Sequence, residues 1–282
     1  MTSQVPLGPQ ILGLALGADA VVDQGWLVRE LTIPDGLDGP PGILQGGFAA
    51  GLLASVARAA DPYGAPLTGV EARLHAPTPL ARGVQARLRA ADGLARTEVE
   101  VRDGAQLLVS GVVELAGHEP APAGLDLVGL ARLPLPEPVP QQEYPTCVVC
   151  GPQPRHPVGQ RLHPRFGPAG TIVQPWIPSQ ELGTGGTVDE LLIAAVLDCP
   201  TVWAAIAELR DAGYLGALLA GFRIVHHREV PVDEPVRVVA RLDGLDGRKV
   251  RARSAVVDED GVVYAVASAL HVAVTALPDP PA

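Results

Sequence analysis

The sequence predicts an α+β protein built from two related halves in tandem, each an antiparallel sheet wrapped around one central helix. Two observations carry this. A Gly-Gly step opening an apolar helical stretch occurs at Gly46-Gly47 and again at Gly185-Gly186. Each copy is followed by four strand-like runs, several of them separated by Asp-Gly pairs, a strong hairpin signal between alternating runs. A repeat of this order within 282 residues argues for duplication rather than one undivided domain. The expected boundaries are residues 1–118 for the first half, 119–145 for a linker, 146–276 for the second half and 277–282 for a frayed tail.

In the first half, residues 21–33 read as a strand with Trp26, Val28 and Leu31 among its apolar positions. Residues 43–60 follow as a helix rich in Ala and Leu with only Arg58 charged, which must be buried nearly all round. Strands are expected over 68–76, 84–90, 95–102 and 106–115, with turns at Asp92-Gly93 and Asp103-Gly104. The segment from Pro120 to Pro145 carries seven prolines and no helical or strand period. Each proline fixes φ and removes a donor, so this linker should run extended across the surface.

The second half repeats the order. Residues 171–177 form the leading strand, and Thr187-Val188-Asp189-Glu190 has the form of a capping box. The helix begins there on this reading and is kinked or ended by Pro200, with a further helical piece over 202–212 that ends at Gly213. Strands are expected over 218–228, 235–243, 249–258 and 262–274. Gly69 aligns with Gly221, Pro79 with Pro231 and Gly104 with Gly261.

Composition excludes several classes of function. No apolar run approaches the ~20 residues of a membrane span. The apolar stretch within residues 11–16 has no basic residue ahead of it, so a secretory signal is not expected and a cytoplasmic location is. Three cysteines make no disulfide framework. Thirty-one acidic against twenty-one basic residues, a net charge of −10, disfavours nucleic acid as a partner. A small or acyl-bearing ligand fits better.

A central, almost wholly apolar helix wrapped by a curved antiparallel sheet is the hotdog architecture. Ile43-Leu44-Gln45-Gly46-Gly47 resembles the His-Gly-Gly helix start of acyl-CoA thioesterases of the PaaI-like group, and Cys147-Val148-Val149-Cys150-Gly151-Pro152 resembles a stretch that opens many such domains. Val196-Leu197-Asp198-Cys199-Pro200-Thr201-Val202-Trp203-Ala204-Ala205 resembles the acidic segment of the same family's central helix. The resemblance implies a double hotdog that hydrolyses an acyl-CoA or acyl-carrier thioester without a cofactor. The alternative is a non-catalytic protein that binds acyl thioesters or lipids. Two such chains are expected to pair through open sheet edges.

Thioester hydrolysis needs donors aimed at the developing oxyanion and a base or nucleophile. Unpaired amides at a helix start supply the first, and glycine lets the ligand come close. The resemblance puts Asp198 at the family's acidic position, where it would supply the second, whereas the matching position of the first helix is Ala54, beside Ser55. Asp198 lies twelve residues after Gly186, about 18 Å along a helix, so its partner amides must come from the other half. The expected site therefore joins Gly46 and Gly47 with Gln45 in place of the family's His and with Asp198, Thr201 lying in the same segment. The reciprocal site lacks an acid. A competing reading makes Asp198 the N-cap of the helical piece after Cys199-Pro200. Arg73/His75 and His226-His227-Arg228, at equivalent strand ends, are candidates for meeting nucleotide phosphates. Cys147, Cys150, His156 and His163 form a run with zinc-ligand types, but the family resemblance implies a structural role and no metal. No Gly-x-Ser-x-Gly elbow and no helical Asp-x4-His pair is present, which removes serine hydrolase and enoyl hydratase chemistry.

Overall fold

The computed structural model describes residues 7–13, 21–61, 63–92, 95–115, 127–139 and 143–278. Helix α1 (Leu7–Ile11) precedes β1 (Val21–Asp23), β2 (Trp26–Ile33), central helix α2 (Gly46–Ala60) and strands β3 (Gly69–Leu74), β4 (Arg82–Asp92), β5 (Arg96–Asp103) and β6 (Gln106–Glu114). A helical turn, α3 (Leu127–Leu130), leads to β7 (Thr171–Trp176), the hairpin β8 (Gly183–Thr184) and β9 (Thr187–Val188), and the second central helix α4 (Glu190–Trp203). Short α5 (Ile206–Asp211) and strands β10 (Gly216–His226), β11 (Val236–Asp246), β12 (Lys249–Val257) and β13 (Val263–Val274) complete the chain.

One antiparallel sheet holds both halves, in the order β1-β2-β4-β5-β6-β3-β10-β13-β12-β11-β7. The seam is β3 against β10, with Gly69 opposite Val225 and Arg73 opposite Gly221. These pairs are symmetric about Glu71 and Arg223, so the halves are related by a local twofold in which Gly69 corresponds to Gly221. The bridges Ile43 to Pro79 and Thr187 to Pro231 extend the same correspondence to the segments ahead of the central helices. Both helices lie in one apolar core shared by the two halves.

The central helices run antiparallel and unusually close. A Cβ on Gly47 would lie 2.3 Å from the Ala194 carbonyl oxygen, and one on Gly51 would lie 3.1 Å from the Leu191 Cα. Glycine at both places is what lets the backbones touch. Farther along, Arg58 of α2 pairs with Glu190 of α4.

Several expectations are corrected. Gly185 and Gly186 do not open a helix. They form the β8–β9 turn with φ of +69° and +91°, left-handed values that suit glycine. Nor does Thr187 cap α4, since it lies in β9. The N-cap is Asp189, whose carboxylate accepts from the Leu191 amide at 2.9 Å. Pro200 does not end the helix, which continues to Trp203. The Leu197 and Asp198 carbonyls beside the proline accept from the Ser254 and Thr201 hydroxyls at 2.6 and 2.5 Å. The second helical piece is shorter than expected and starts only at Ile206.

The linker is not wholly an extended strap. Leu127 and Ala131 are buried against Val239, Ala255 and Val257 of the second half's sheet. Pro120, Pro122 and Pro140 lie outside the described residues, as do Gly93 and residues 279–282 of the expected tail, whereas Pro278 of that tail reaches the cavity described below. Residues 14–16 of the apolar N-terminal stretch at 11–16 also fall outside the described residues. Among those described, no helix is long and apolar enough to cross a membrane.

Candidate active site

The site forms where the start of α2 meets the middle of α4. Gln45 is the N-cap of α2, and its amide oxygen accepts from the Phe48 N–H at 2.8 Å. That bond turns its Nε2 across the helix pair, where it donates to Asp198 Oδ2 at 2.7 Å and to the Ala195 carbonyl at 3.3 Å. The Gly47 amide donates to the same carboxylate oxygen at 2.8 Å. Asp198 therefore sits inside α4 with its side chain against the positive end of α2. It does not cap a following helix.

Opposing influences act on this carboxyl. Burial raises its pKa to about 7 with the Cys147 thiol pushing the same way, even though the Gly47 hydrogen bond favours the charged form. At neutral pH the group is divided between acid and carboxylate, the condition under which a general base is both available and strong enough to act.

His271, which sequence reasoning missed, completes the surroundings. Its Nε2 lies 2.7 Å from Thr201 Oγ1 and 3.9 Å from Asp198 Oδ1. Because the Thr201 hydroxyl donates to the Asp198 carbonyl, the imidazole is the donor to Thr201 and carries its proton on Nε2. Burial pushes His271 down to about 4, so it is neutral near pH 7. The one signal in the sequence is alternation along β13, where His271 falls on the inward row with Ala267, Ala269 and Ala273. A polar residue in an otherwise small apolar row marks an inward polar contact.

These groups border a cavity of about 240 Å³. Ile43, Leu74, Val202, Trp203, Leu218 and Leu219 give it a largely apolar wall, with Gln45, Gly46, Asp198 and His271 on one side. Gly46 is half-buried, and its N–H has no acceptor among the described residues. The Gly47 amide is bonded to Asp198, so the amide open to a bound ligand is that of Gly46.

Other expected site residues are placed differently. Thr201 is fully buried, does not border the cavity and uses its hydroxyl on the Asp198 carbonyl and His271, so it is placed to hold these groups rather than to line the cavity. Arg73 is exposed, one residue before Leu74 on the cavity wall. Arg228 is also exposed but lies beyond the other end of the seam, because antiparallel pairing sends equivalent strand ends in opposite directions. About seven residues of strand, roughly 23 Å, separate it from the position opposite Arg73. One phosphate group cannot meet both. The expected zinc-type run is not assembled either: the third sulfur close to Cys147 and Cys150 is Cys199, while His163 Nδ1 faces the Cys150 carbonyl.

The reciprocal position of the local twofold is filled. Asp189 corresponds to Gln45, and Ala54, nine residues past its N-cap as Asp198 is past Asp189, corresponds to Asp198. Into that place runs α1, whose Gly8 amide donates to Asp189 Oδ2 at 2.8 Å. A Cβ on Gly8 would meet Ser55 Oγ at 2.5 Å.

Two central helices, antiparallel inside one continuous antiparallel sheet, define a double hotdog. Solved structures bear out that fold. The chain is similar to the tesB protein of Mycobacterium avium subs paratuberculosis, at 14% identity and a TM-score of 0.59, over 92% of this chain and 96% of that one. It is similar to the acyl-CoA thioesterase II TesB2 of Mycobacterium marinum at 12% identity and a TM-score of 0.56, over 90% and 94%. A pyran synthase domain from module nine of the sorangicin pathway matches at 17% identity and a TM-score of 0.63, over 93% and 98%. No protein-family model and no curated protein matches the sequence.

Proposed function

We propose that this chain hydrolyses an acyl-CoA or acyl-carrier thioester at one site per chain, formed between its two halves. The observation that supports this reading is the Asp198 carboxyl, raised to about 7 and held at the start of the opposing central helix on the wall of a largely apolar cavity. The fold's likeness to TesB thioesterases agrees with it.

In this mechanism the acyl chain lies along Ile43, Leu74 and Leu218, and the thioester carbonyl oxygen accepts from the Gly46 N–H. The α2 dipole adds to that donor as negative charge develops on the oxygen. Asp198 takes a proton from a water that attacks the carbonyl carbon. Collapse of the tetrahedral intermediate breaks the carbon–sulfur bond, and the proton held by Asp198 passes to the leaving thiolate. Products are the carboxylic acid and the free thiol. Gln45 and Gly47 hold the carboxylate in line, and Arg73 is the candidate for a phosphate of the carrier.

The test is thiol release from acyl-CoAs of several chain lengths by the wild type and by Asp198→Asn. Loss of a general base should lower kcat by on the order of 10²–10⁴-fold. Undiminished hydrolysis by the variant removes Asp198 from the mechanism. Saturable binding of acyl-CoA without hydrolysis by the wild type favours the binding-protein reading instead.

A further inference from the structure

Three sulfurs border the same cavity beside Asp198, and the proposed hydrolysis uses none of them. Cys147 and Cys150 come from the loop after the linker, and Cys199 comes from α4. All three are buried and free. Cys150 Sγ is 3.5 Å and Cys199 Sγ 3.7 Å from Cys147 Sγ, and all three sulfurs lie within 4.8 Å of one another. Sulfurs bound to one zinc at ~2.3 Å in a tetrahedron stand about 3.8 Å apart, so the two spacings from Cys147 match edges of such a site, and the third closes within 4.8 Å.

The loop itself is shaped for this. The Gly151 amide closes a turn onto the Cys147 carbonyl at 2.9 Å. A Cβ at Gly151 would lie 2.6 Å from both the nitrogen and the oxygen of Cys147, so the Cys-x-x-Cys-Gly turn admits only glycine there. Backbone N–H groups of Val149 and Cys150 face the Cys147 sulfur. Trp203 Nε1 donates to Cys150 Sγ at 3.4 Å, and Gln45 Nε2 donates to Cys199 Sγ at 3.5 Å. Each sulfur thus has a hydrogen-bond donor turned toward it, the arrangement that steadies metal-bound thiolates from the surroundings.

We infer that Cys147, Cys150 and Cys199 form a three-thiolate site for a thiophilic cation, zinc being the fitting one, with the remaining coordination position open to the cavity. Soft sulfur ligands select zinc or monovalent copper over magnesium or calcium. Each ligating thiol gives up its proton, so binding exchanges one dication for as many as three protons released to solvent. The site ties the loop after the linker to the second central helix. It stands whether or not the chain hydrolyses thioesters.

The experiment is titration of the reduced, chelator-treated full chain with Co²⁺, with free thiols counted first. One equivalent should bind with an intense thiolate-to-cobalt charge-transfer band, and Zn²⁺ should displace it. The band should be lost in Cys147→Ser and in Cys199→Ser and kept in His163→Ala. Circular dichroism of each variant in chelator separates loss of the ligand from loss of the fold. Absence of the band in fully reduced wild type overturns the inference. So does a band of unchanged intensity in folded Cys199→Ser, which would place the ligands elsewhere.

Discussion

Replacing Asp198 by Asn should change the shape of the pH–stability curve. In the folded protein burial raises this carboxyl from 3.8 to about 7. Between those values the folded state keeps a proton that the unfolded chain has lost. The contribution of Asp198 to stability therefore falls as pH rises from about 4 to about 7 and is flat on either side. A shift of about three units, at ~1.4 kcal/mol each, sets an upper figure of roughly 4 kcal/mol. Asn keeps an acceptor oxygen for Gly47 and Gln45 but cannot ionise. Asp189, raised to about 6 by burial, acts in the same sense. His226 and His271, lowered to about 4 by burial, act oppositely, their contribution being lost as pH falls below about 6.5. All three are present in both proteins, so the difference between variant and wild type isolates Asp198. Chemical or thermal unfolding in chelator and reductant, which keep the three sulfurs metal-free, gives that difference between about pH 4 and pH 8. It should grow by up to roughly 4 kcal/mol in favour of the variant. With ~2.1 cal/mol/K of unfolding entropy per residue over 282 residues, that is about 7 °C in Tm. A difference that stays constant across the range would refute a buried, titrating Asp198.

The two Gly-Gly steps should respond differently to alanine. Gly47→Ala forces a methyl into the Ala194 carbonyl and should cost about 3 kcal/mol or more together with most of the activity, whereas Gly185→Ala meets no atom and should cost only about 1 kcal/mol for its left-handed φ, both read by denaturant unfolding and turnover. Gln45→Ala removes the α2 cap, worth about 1 kcal/mol, and a donor to the Asp198 carboxylate, so the acid limb of the hydrolysis pH profile should move to higher pH. Arg73→Ala should raise KM for acyl-CoA but not for a phosphate-free thioester, and Arg228→Ala should change neither, a contrast that steady-state kinetics with both substrates checks directly.

How far these residues can be read from sequence depends on the kind of signal each one gives. Strand and helix order was legible because alternation and an all-apolar helix are local patterns, and the observed elements mostly fall within three residues of their expected bounds. The Ala54–Asp198 difference was legible for the same reason. The second Gly-Gly misled because glycine pairs serve hairpin turns as well as helix starts, and only the bridge from Thr187 to Pro231 shows that Asp189, not Gly186, corresponds to the residue that starts the helix. Counted from Asp189, Asp198 stands nine residues past its N-cap, as Ala54 does past Gln45. Arg73 and Arg228 show a deeper limit. They sit at equivalent strand ends, yet a twofold seam of antiparallel strands sends those ends in opposite directions. A duplicated chain folded about such an axis places two potential sites at opposite ends of its helix pair, and small differences between the copies decide which one opens. Here α1 fills one end while Asp198, the Gly46 amide and three sulfurs gather at the other. The asymmetry lies in a few side chains and one short helix, while the shared core keeps the twofold.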